Sequence, residues 1–361
     1  MFDYQDRMTR LRDRMASEGV EVALFSIGPD LPYLAGYEAS PSERLTVLVV
    51  PSRSEPVLLV PRLEAPRVTQ DLFETRAWEE LEDPVAIAVS LVSSPSKVAV
   101  GDQMWAAFLT RFLRHWPDAK LVPASSLTSQ MRVLKEPAEI ELLRRAAQGV
   151  DRVMRRVSDE LRFAGRTEVE VARDLAEMTV VEGHDEAAFT IVASGPNGAS
   201  PHHHPSKRLI EPGDVVVCDF GGRLGGYFSD STRTFVVGEA TAHQAEVHAA
   251  VLEANRAGRK AVASGVACQE VDRASRTVIV EAGFGDCFVH RTGHGIGLEV
   301  HEEPYMVEGN ETRLSPGMAF SVEPGVYLPD RFGVRIEDIV VCTEDGVMSL
   351  NEADRALVEV G

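Results

Sequence analysis

The residues with the greatest chemical reach in this sequence are acidic, and they come in pairs. In DVVVCDFGGRLGGYFSDSTRTF, residues 214–235, a fold-back at Leu224 and Gly225 sets Asp219 roughly opposite Asp230. In SVEPGVYLPDRFGVRIEDIV, residues 321–340, a turn centred near Asp330 sets Glu323 roughly opposite Glu337. A bulge in either ribbon displaces such a register, so the expectation is approximate opposition. Like charges facing each other on a sheet are destabilising, and two unit charges about 4 Å apart repel by roughly 4 kcal/mol at an effective dielectric near 20. Both pairs are embedded in apolar strand sequence, VVVCDF and IEDIVVC, where solvent screens poorly. A bound cation turns that repulsion into coordination, which makes a metal the economical explanation of the pattern.

Histidine usage points the same way. Of ten histidines, six fall in two short stretches, PHHHP at 201–205 and VHRTGHGIGLEVHE at 289–302. Both read as loops bounded by glycine or proline, where functional groups commonly sit on a rigid scaffold. His294 lies between Gly293 and Gly295, so the backbone can turn tightly there and aim the imidazole inward.

The elements that must hold these residues divide the chain in two. Up to about residue 128, short apolar runs (VEVALFS, LTVLVVP, PVLLVP, KVAVG) read as strands among helix-like segments such as Met104 to His115, the pattern of an α/β layer. The first residues form an amphipathic helix with Met8, Leu11 and Met15 inward and the arginines outward. Asp30, Pro32 and Gly36 punctuate a loop. A boundary falls near Leu127 to Lys135, and Pro137 opens a long helix. Thr167 with Glu170 forms a capping box for a second helix closed by Gly183, and two further helices span about 240–263 and 269–282. The strands of this half, DVVVCDFGG, GYFSDSTRTFVV, MAFSVEPGVY and GVRIEDIVVC, read as antiparallel hairpins under helices.

Composition limits the partners. A formal charge of −19 opposes binding to nucleic acid or an anionic membrane surface, because phosphate contacts need clustered Lys and Arg. The amino-terminal stretch has no apolar secretory core and no segment reaches membrane-span length, so a cytoplasmic location is expected. Cys218, Cys268, Cys287 and Cys342 show no CxxC spacing, which argues against a zinc ribbon or redox motif and for reduced thiols.

In this order, DFGG, DSTRTF, HGIGLEVHE, VEPGVY and GVRIED resemble the motifs of the pita-bread metallopeptidases, closest to the Xaa-Pro peptidases, prolidase and aminopeptidase P. The resemblance covers about residues 130 to 361, and PDLPYLAGY in the preceding half is similar to a creatinase-type N-terminal domain. It implies a creatinase-like α/β domain over residues 1–130 and an α+β pita-bread catalytic domain over 131–361. It also implies that Asp219 and Asp230 ligate one divalent ion, Asp230 bridges to a second, His294 and Glu323 ligate that second ion, and Glu337 bridges. His202 matches a histidine beside the substrate, with His203 and His204 as alternatives, and His290 and His301 match two that steady the reacting amide. Arg335 and Thr232 match positions that steady the ligands, and Phe189, Tyr227 and Phe332 are candidate walls for a proline ring.

The implied chemistry is hydrolysis of the bond preceding proline by water activated between two ions, with Glu323 handling the water proton. Oxygen-rich ligation with one imidazole favours Mn2+, with Co2+ or Zn2+ as alternatives. The expected substrates are Xaa-Pro dipeptides, with longer peptides (the aminopeptidase P activity) as the alternative, and family members commonly form homodimers. A creatinase-like enzyme or a metal-free binding module on the same fold would lack the full carboxylate set that this chain retains. Methionine aminopeptidases usually lack the N-terminal domain.

Overall fold

The computed structural model describes residues 2–361, and these form two compact units that meet at Arg132 and Val133. The first unit runs α1 (Tyr4–Glu18), β1 (Val22–Phe25), α2 (Asp30–Ala35), β2 (Val47–Pro51), β3 (Val57–Pro61), β4 (Glu74–Trp78), α3 (Pro84–Ser90), β5 (Lys97–Val100), α4 (Ala106–His115), β6 (Lys120–Pro123) and α5 (Ser125–Arg132). Its strands form one mixed sheet in the order β4-β3-β2-β1-β5-β6. The central strands β1, β2 and β3 are buried at every position, as their unbroken apolar sequences require. Strand β4, ETRAW, is exposed over its first three residues, and that polar sequence hides it from a hydrophobicity reading.

Two expectations are corrected in this unit. Arg7 is not outward: it is buried, donates from Nη1 to the Tyr33 carbonyl at 3.0 Å and sits 4.1 Å from the centroid of the Tyr33 ring. Cation–π contact and a backbone acceptor offset its desolvation. Asp30 to Gly36 is not a loop but the short helix α2, which Gly36 ends at φ 61°.

The second unit, Val133–Gly361, opens with α6 (Pro137–Glu160) and α7 (Glu168–Val181). Pro137 stands at the first turn of α6, and capping boxes (Glu136 with Glu139, Thr167 with Glu170) satisfy free backbone N–H groups at both helix starts. Next come β7 (Glu186–Ser194), β8 (Val215–Leu224), β9 (Tyr227–Phe228), β10 (Ser231–Val237), α8 (Ala242–Ala261) and α9 (Cys268–Glu281). The remaining strands are β11 (Gly293–Gly295), β12 (Glu302–Met306), β13 (Ala319–Val322), β14 (Gly325–Leu328), β15 (Phe332–Arg335), β16 (Asp338–Thr343), β17 (Gly346–Ser349) and β18 (Val358–Val360). One sheet is ordered β18-β10-β8-β7, a second β12-β11-β13-β16-β17, and β14 pairs with β15 as a ribbon.

Strand periodicity decides which side chains face the helices. Val216, Cys218 and Phe220 of β8, with Phe235 and Val237 of β10, pack against Val150, Val153 and Val157 of α6 and Leu175 of α7. Successive strand residues point to opposite faces, so Asp219, Thr232 and Thr234 are turned away from that core. No helix among the described residues is long and apolar enough to cross a membrane.

Candidate metal centre

The two ribbons bring the acids together by different routes. Val322 pairs with Asp338 and Gly325 with Arg335, so Glu323 and Glu337 stand across from each other where the chain leaves one sheet for the next ribbon. In the other ribbon the expected opposition is displaced. Asp219 pairs with Thr232, and the same register puts Asp230 across from Gly221, leaving the two aspartates diagonal on one face. The cause is the turn, which lies at Gly225 and Gly226 (φ 56° and 90°) and not at Leu224 and Gly225. A two-residue hairpin turn with positive φ at both positions suits two glycines, and moving it by one residue moves every partner by two. A Cβ on Gly221 would lie 1.9 Å from the Ser229 carbonyl oxygen, so the close crossing beside Asp230 requires glycine.

His294 on β11 completes the group, with Nε2 3.1 Å from Glu323 Oε1 and 3.6 Å from Asp230 Oδ2. Its Nδ1 donates to the Gly295 carbonyl at 3.1 Å, which leaves Nε2 as the ligating atom. Ligand atoms of Asp219, Asp230 and Glu337, and of His294, Glu323 and Glu337, lie within 4.8 Å of one another in each set. Burial, then repulsion from Glu337 and Asp219, holds the Asp230 carboxyl well above its ordinary pKa. Burial and the nearby Glu323 and Asp219 do the same to Glu337. Burial also acts to raise Glu323, but the facing His294, with His290 and Arg335 beyond it, outweighs that and brings it down to about 2. Asp219 Oδ1, Asp230 Oδ1 and Glu337 Oε1 are buried without any hydrogen-bond partner. A buried polar atom left unsatisfied costs about 1–3 kcal/mol. Three such carboxylate oxygens beside one imidazole nitrogen suit hard or borderline divalent ions, so the residues fit a metal centre.

Around the cluster, Arg335 distributes its guanidinium: Nη2 to Asp219 Oδ2 at 2.5 Å, Nε to Thr232 Oγ1 at 3.1 Å and Nη1 to the Tyr327 hydroxyl at 2.8 Å. Thr232 Oγ1 in turn donates to Glu337 Oε2 at 2.7 Å. The cluster forms the floor of a cavity of about 590 Å³ whose walls include Phe189, Ile191, His202, His290, Arg291, Val300 and His301. The His301 ring meets that of His294 edge-on with centroids 4.1 Å apart, and burial, then the neighbouring His294, brings its pKa down to about 4.

Residues 141–344 match the pattern described as metallopeptidase family M24, and residues 7–134 match the creatinase/prolidase N-terminal domain. The chain belongs to metallopeptidase family M24. It is 44% identical to the probable dipeptidase PepE of Mycobacterium tuberculosis, over 99% of this chain and 96% of that one. It is 32% identical to the Xaa-Pro dipeptidase of Lactobacillus helveticus, over 97% and 98% of the two chains. Among solved structures, the recombinant prolidase of Thermococcus sibiricus superposes with a TM-score of 0.96 at 37% identity, covering 100% of both chains. The fold class is therefore the expected one, a creatinase-type α/β domain followed by the α+β catalytic domain of this family.

Several expected site residues of this M24 chain have surroundings the sequence did not predict. Of the histidine triplet, His202 lines the cavity, whereas His203 Nε2 is 2.9 Å from the buried carboxylate of Glu168. His290 lines the cavity too, but both its ring nitrogens already have protein partners: Nδ1 donates to the Arg291 carbonyl at 2.7 Å, and Nε2 accepts from the Tyr327 hydroxyl at 2.8 Å. Of the three aromatic walls, only Phe189 lines the cavity. Tyr227 donates to Glu139 Oε1 at 2.6 Å, and Phe332 packs into an apolar cluster with Val326 and Ile336. Tyr327 was missed. No spacing in the sequence marks it; in the fold it stands against Gly325, where an added Cβ would come within 2.5 Å of its hydroxyl, whereas a Cβ at Gly333 would first meet the Gly198 carbonyl oxygen at 1.8 Å.

Proposed function

We propose that this chain is a dinuclear metal-dependent peptidase that hydrolyses the Xaa-Pro bond, with Xaa-Pro dipeptides as its main substrates. The observation that carries this reading is the convergence of three partnerless buried carboxylate oxygens with His294 and Glu323 at the floor of an open cavity. Asp219, Asp230, His294, Glu323 and Glu337 would hold two divalent ions, Mn2+ first and Co2+ or Zn2+ as alternatives. Those ions would supply Lewis-acid polarisation of the substrate carbonyl and bring the pKa of water toward neutrality. Residues 1–130 form the creatinase-like domain and 131–361 the catalytic domain, a division close to the two compact units.

The chain's own residues then divide the work. Glu323, low in pKa and steadied by the Ser321 hydroxyl at 3.0 Å, is a carboxylate at neutral pH and can take a proton on its carboxylate oxygen. His301, neutral at pH 7, can offer a ring N–H to charge developing on the substrate, with His202 on the same cavity wall. His290 acts through Tyr327 to orient Arg335, which fixes Asp219 and Thr232. Phe189, Ile191 and Val300 offer an apolar wall to the pyrrolidine ring, whose nitrogen has no hydrogen to donate. The net charge of −19 opposes nucleic-acid and anionic-membrane partners, and the reading places the enzyme in the cytoplasm as a homodimer.

The mycobacterial relative is named for dipeptides without mention of proline, and this favours a second reading with a wider range of dipeptides. The test is hydrolysis of Ala-Pro, Ala-Ala and Ala-Pro-Ala by the purified chain with and without added Mn2+. Mn2+-dependent cleavage of Ala-Pro above the other two is expected. Equal rates on Ala-Ala support the wider range, faster cleavage of Ala-Pro-Ala supports an aminopeptidase, and no Mn2+-dependent cleavage of any of them ends the proposal.

A further inference from the structure

Glu323 and Glu337 sit in a gap between two strand ladders. Val322 and Asp338 form the last pair of β13 with β16, and Gly325 with Arg335 is the nearest pair of β14 with β15. Between those pairs both backbones turn to other neighbours: the Glu323 N–H donates to the Thr292 carbonyl at 2.7 Å, and the Glu337 N–H to the Thr232 carbonyl at 3.1 Å. What crosses the gap directly is a long bond, from the Ile336 N–H to the Pro324 carbonyl at 3.4 Å. Strand pairing by itself therefore defines the separation of these two acids only weakly.

Asn255 of α8 spans that gap. Its side chain is fully buried, and Nδ2 donates to the Val322 carbonyl at 2.8 Å and to the Ile336 carbonyl at 3.3 Å. These two carbonyls immediately precede Glu323 and Glu337. An amide nitrogen carries two N–H groups in one plane, so a single rigid group ties the two backbones together. The amide cannot turn over, because Oδ1 accepts from Arg259 Nε at 2.9 Å, one turn further along the helix. Gly258 lets the helix come this close: an added Cβ there would lie 2.2 Å from Ser275 Oγ and 2.9 Å from Val322 Cγ1.

We propose that Asn255 is a positioning residue for the metal centre, a two-pronged tie that sets the spacing of Glu323 and Glu337 and with it the affinity for the ion that both would hold. The inference rests on the two-ion reading above. Asp219 and Asp230 belong to the other ribbon, and their spacing follows from the β8–β10 register. Loss of the amide therefore acts unequally. It weakens the ion shared by His294, Glu323 and Glu337 more than the ion shared by Asp219, Asp230 and Glu337.

The test titrates the chelator-treated chain with Mn2+ and follows free Mn2+ by its electron paramagnetic resonance signal, which resolves the two binding steps without any substrate. Asn255→Leu keeps the size of the side chain and removes its donors. One step should weaken by about tenfold to a hundredfold, the usual effect of losing a group that orients a ligand, while the other changes little. Arg259→Met frees the amide to turn over and should weaken the same step by a smaller factor; Asp338, the other partner of Arg259, keeps Arg233 and Arg355. Ser275→Ala removes a different buried bond of α8, to the Ala254 carbonyl at 2.9 Å, and should leave both steps as in the wild type. Equal weakening of both steps in Asn255→Leu, or no weakening at all, overturns the inference while leaving the two-ion reading intact. If Asn255→Leu does not fold, the Arg259→Met titration decides by the same criterion. A wild type that binds fewer than two Mn2+ ions removes the two-ion reading and the inference with it.

Discussion

At Tyr327 one hydroxyl connects an arginine and a histidine that both bear on the acidic cluster. It accepts from Arg335 Nη1 and donates to His290 Nε2, each at 2.8 Å, and burial, the largest influence on it, pushes its pKa up to about 12. It therefore stays protonated through the working pH range, and the tautomer of His290 is set by it and the Arg291 carbonyl. Tyr327→Phe keeps the ring and leaves the buried Arg335 and the half-buried His290 each short of a partner, which should lower kcat/KM on Ala-Pro by on the order of tenfold while metal content is kept. Steady-state kinetics beside elemental analysis of the variant checks this; unchanged kinetics would remove the positioning role. The five proposed metal ligands were legible in the sequence because each is a charge or imidazole set in apolar or glycine-bounded strand sequence. Tyr327 was not, because what it does depends on partners brought close only by the tertiary fold.

The ribbons and the loop facing them differ in how far local rules determine them. The β14–β15 ribbon was readable because its turn residue Asp330, at φ 58°, marks the centre of a symmetric pairing. The β8–β10 register was read two residues out because three consecutive positions, Leu224, Gly225 and Gly226, could each begin the turn. The short strand β11 and the adjacent β12 escaped notice, since three residues with two glycines carry no period-2 signal. Several hydrogen bonds from the segment Ser194 to Ser206, which carries His202, converge on one side chain. Glu168, at the start of α7, accepts from the backbone N–H and hydroxyl of both Ser194 and Ser206, from Asn197 Nδ2 and from His203. Burial acts to raise its pKa, but these donors together outweigh it and bring it down to about 2. Glu168→Gln puts an amide where only acceptors are wanted, so unfolding free energy near pH 7 should fall by about 2–3 kcal/mol and kcat/KM with it. Denaturant unfolding measures the first. A variant as stable as the wild type would show that the segment is held some other way.

Across the whole chain, every proposed ligand lies in the unit Val133–Gly361, and this fixes where ion binding should be felt. Ions that bind only the folded state stabilise it by about 2.7 kcal/mol at a free concentration a hundredfold above Kd. Without ions, Asp230 and Glu337 hold protons well above the ordinary carboxylate range because burial and mutual repulsion oppose charge. Ligation needs the anions, so binding displaces protons and must tighten as pH rises. Mn2+ should therefore raise the unfolding temperature of the chelator-treated chain by several degrees, more at pH 8 than at pH 6, and Asp230→Ala should lose most of that shift. Hydrogen exchange should show the added protection in β8, β10, β13 and β16 and little in the sheet formed by β1 to β6. Each unit has its own apolar core, so ion binding need not be transmitted between them. A shift that is equal at both pH values, survives Asp230→Ala or spreads evenly over both units would mean that Mn2+ binds somewhere other than between these ribbons.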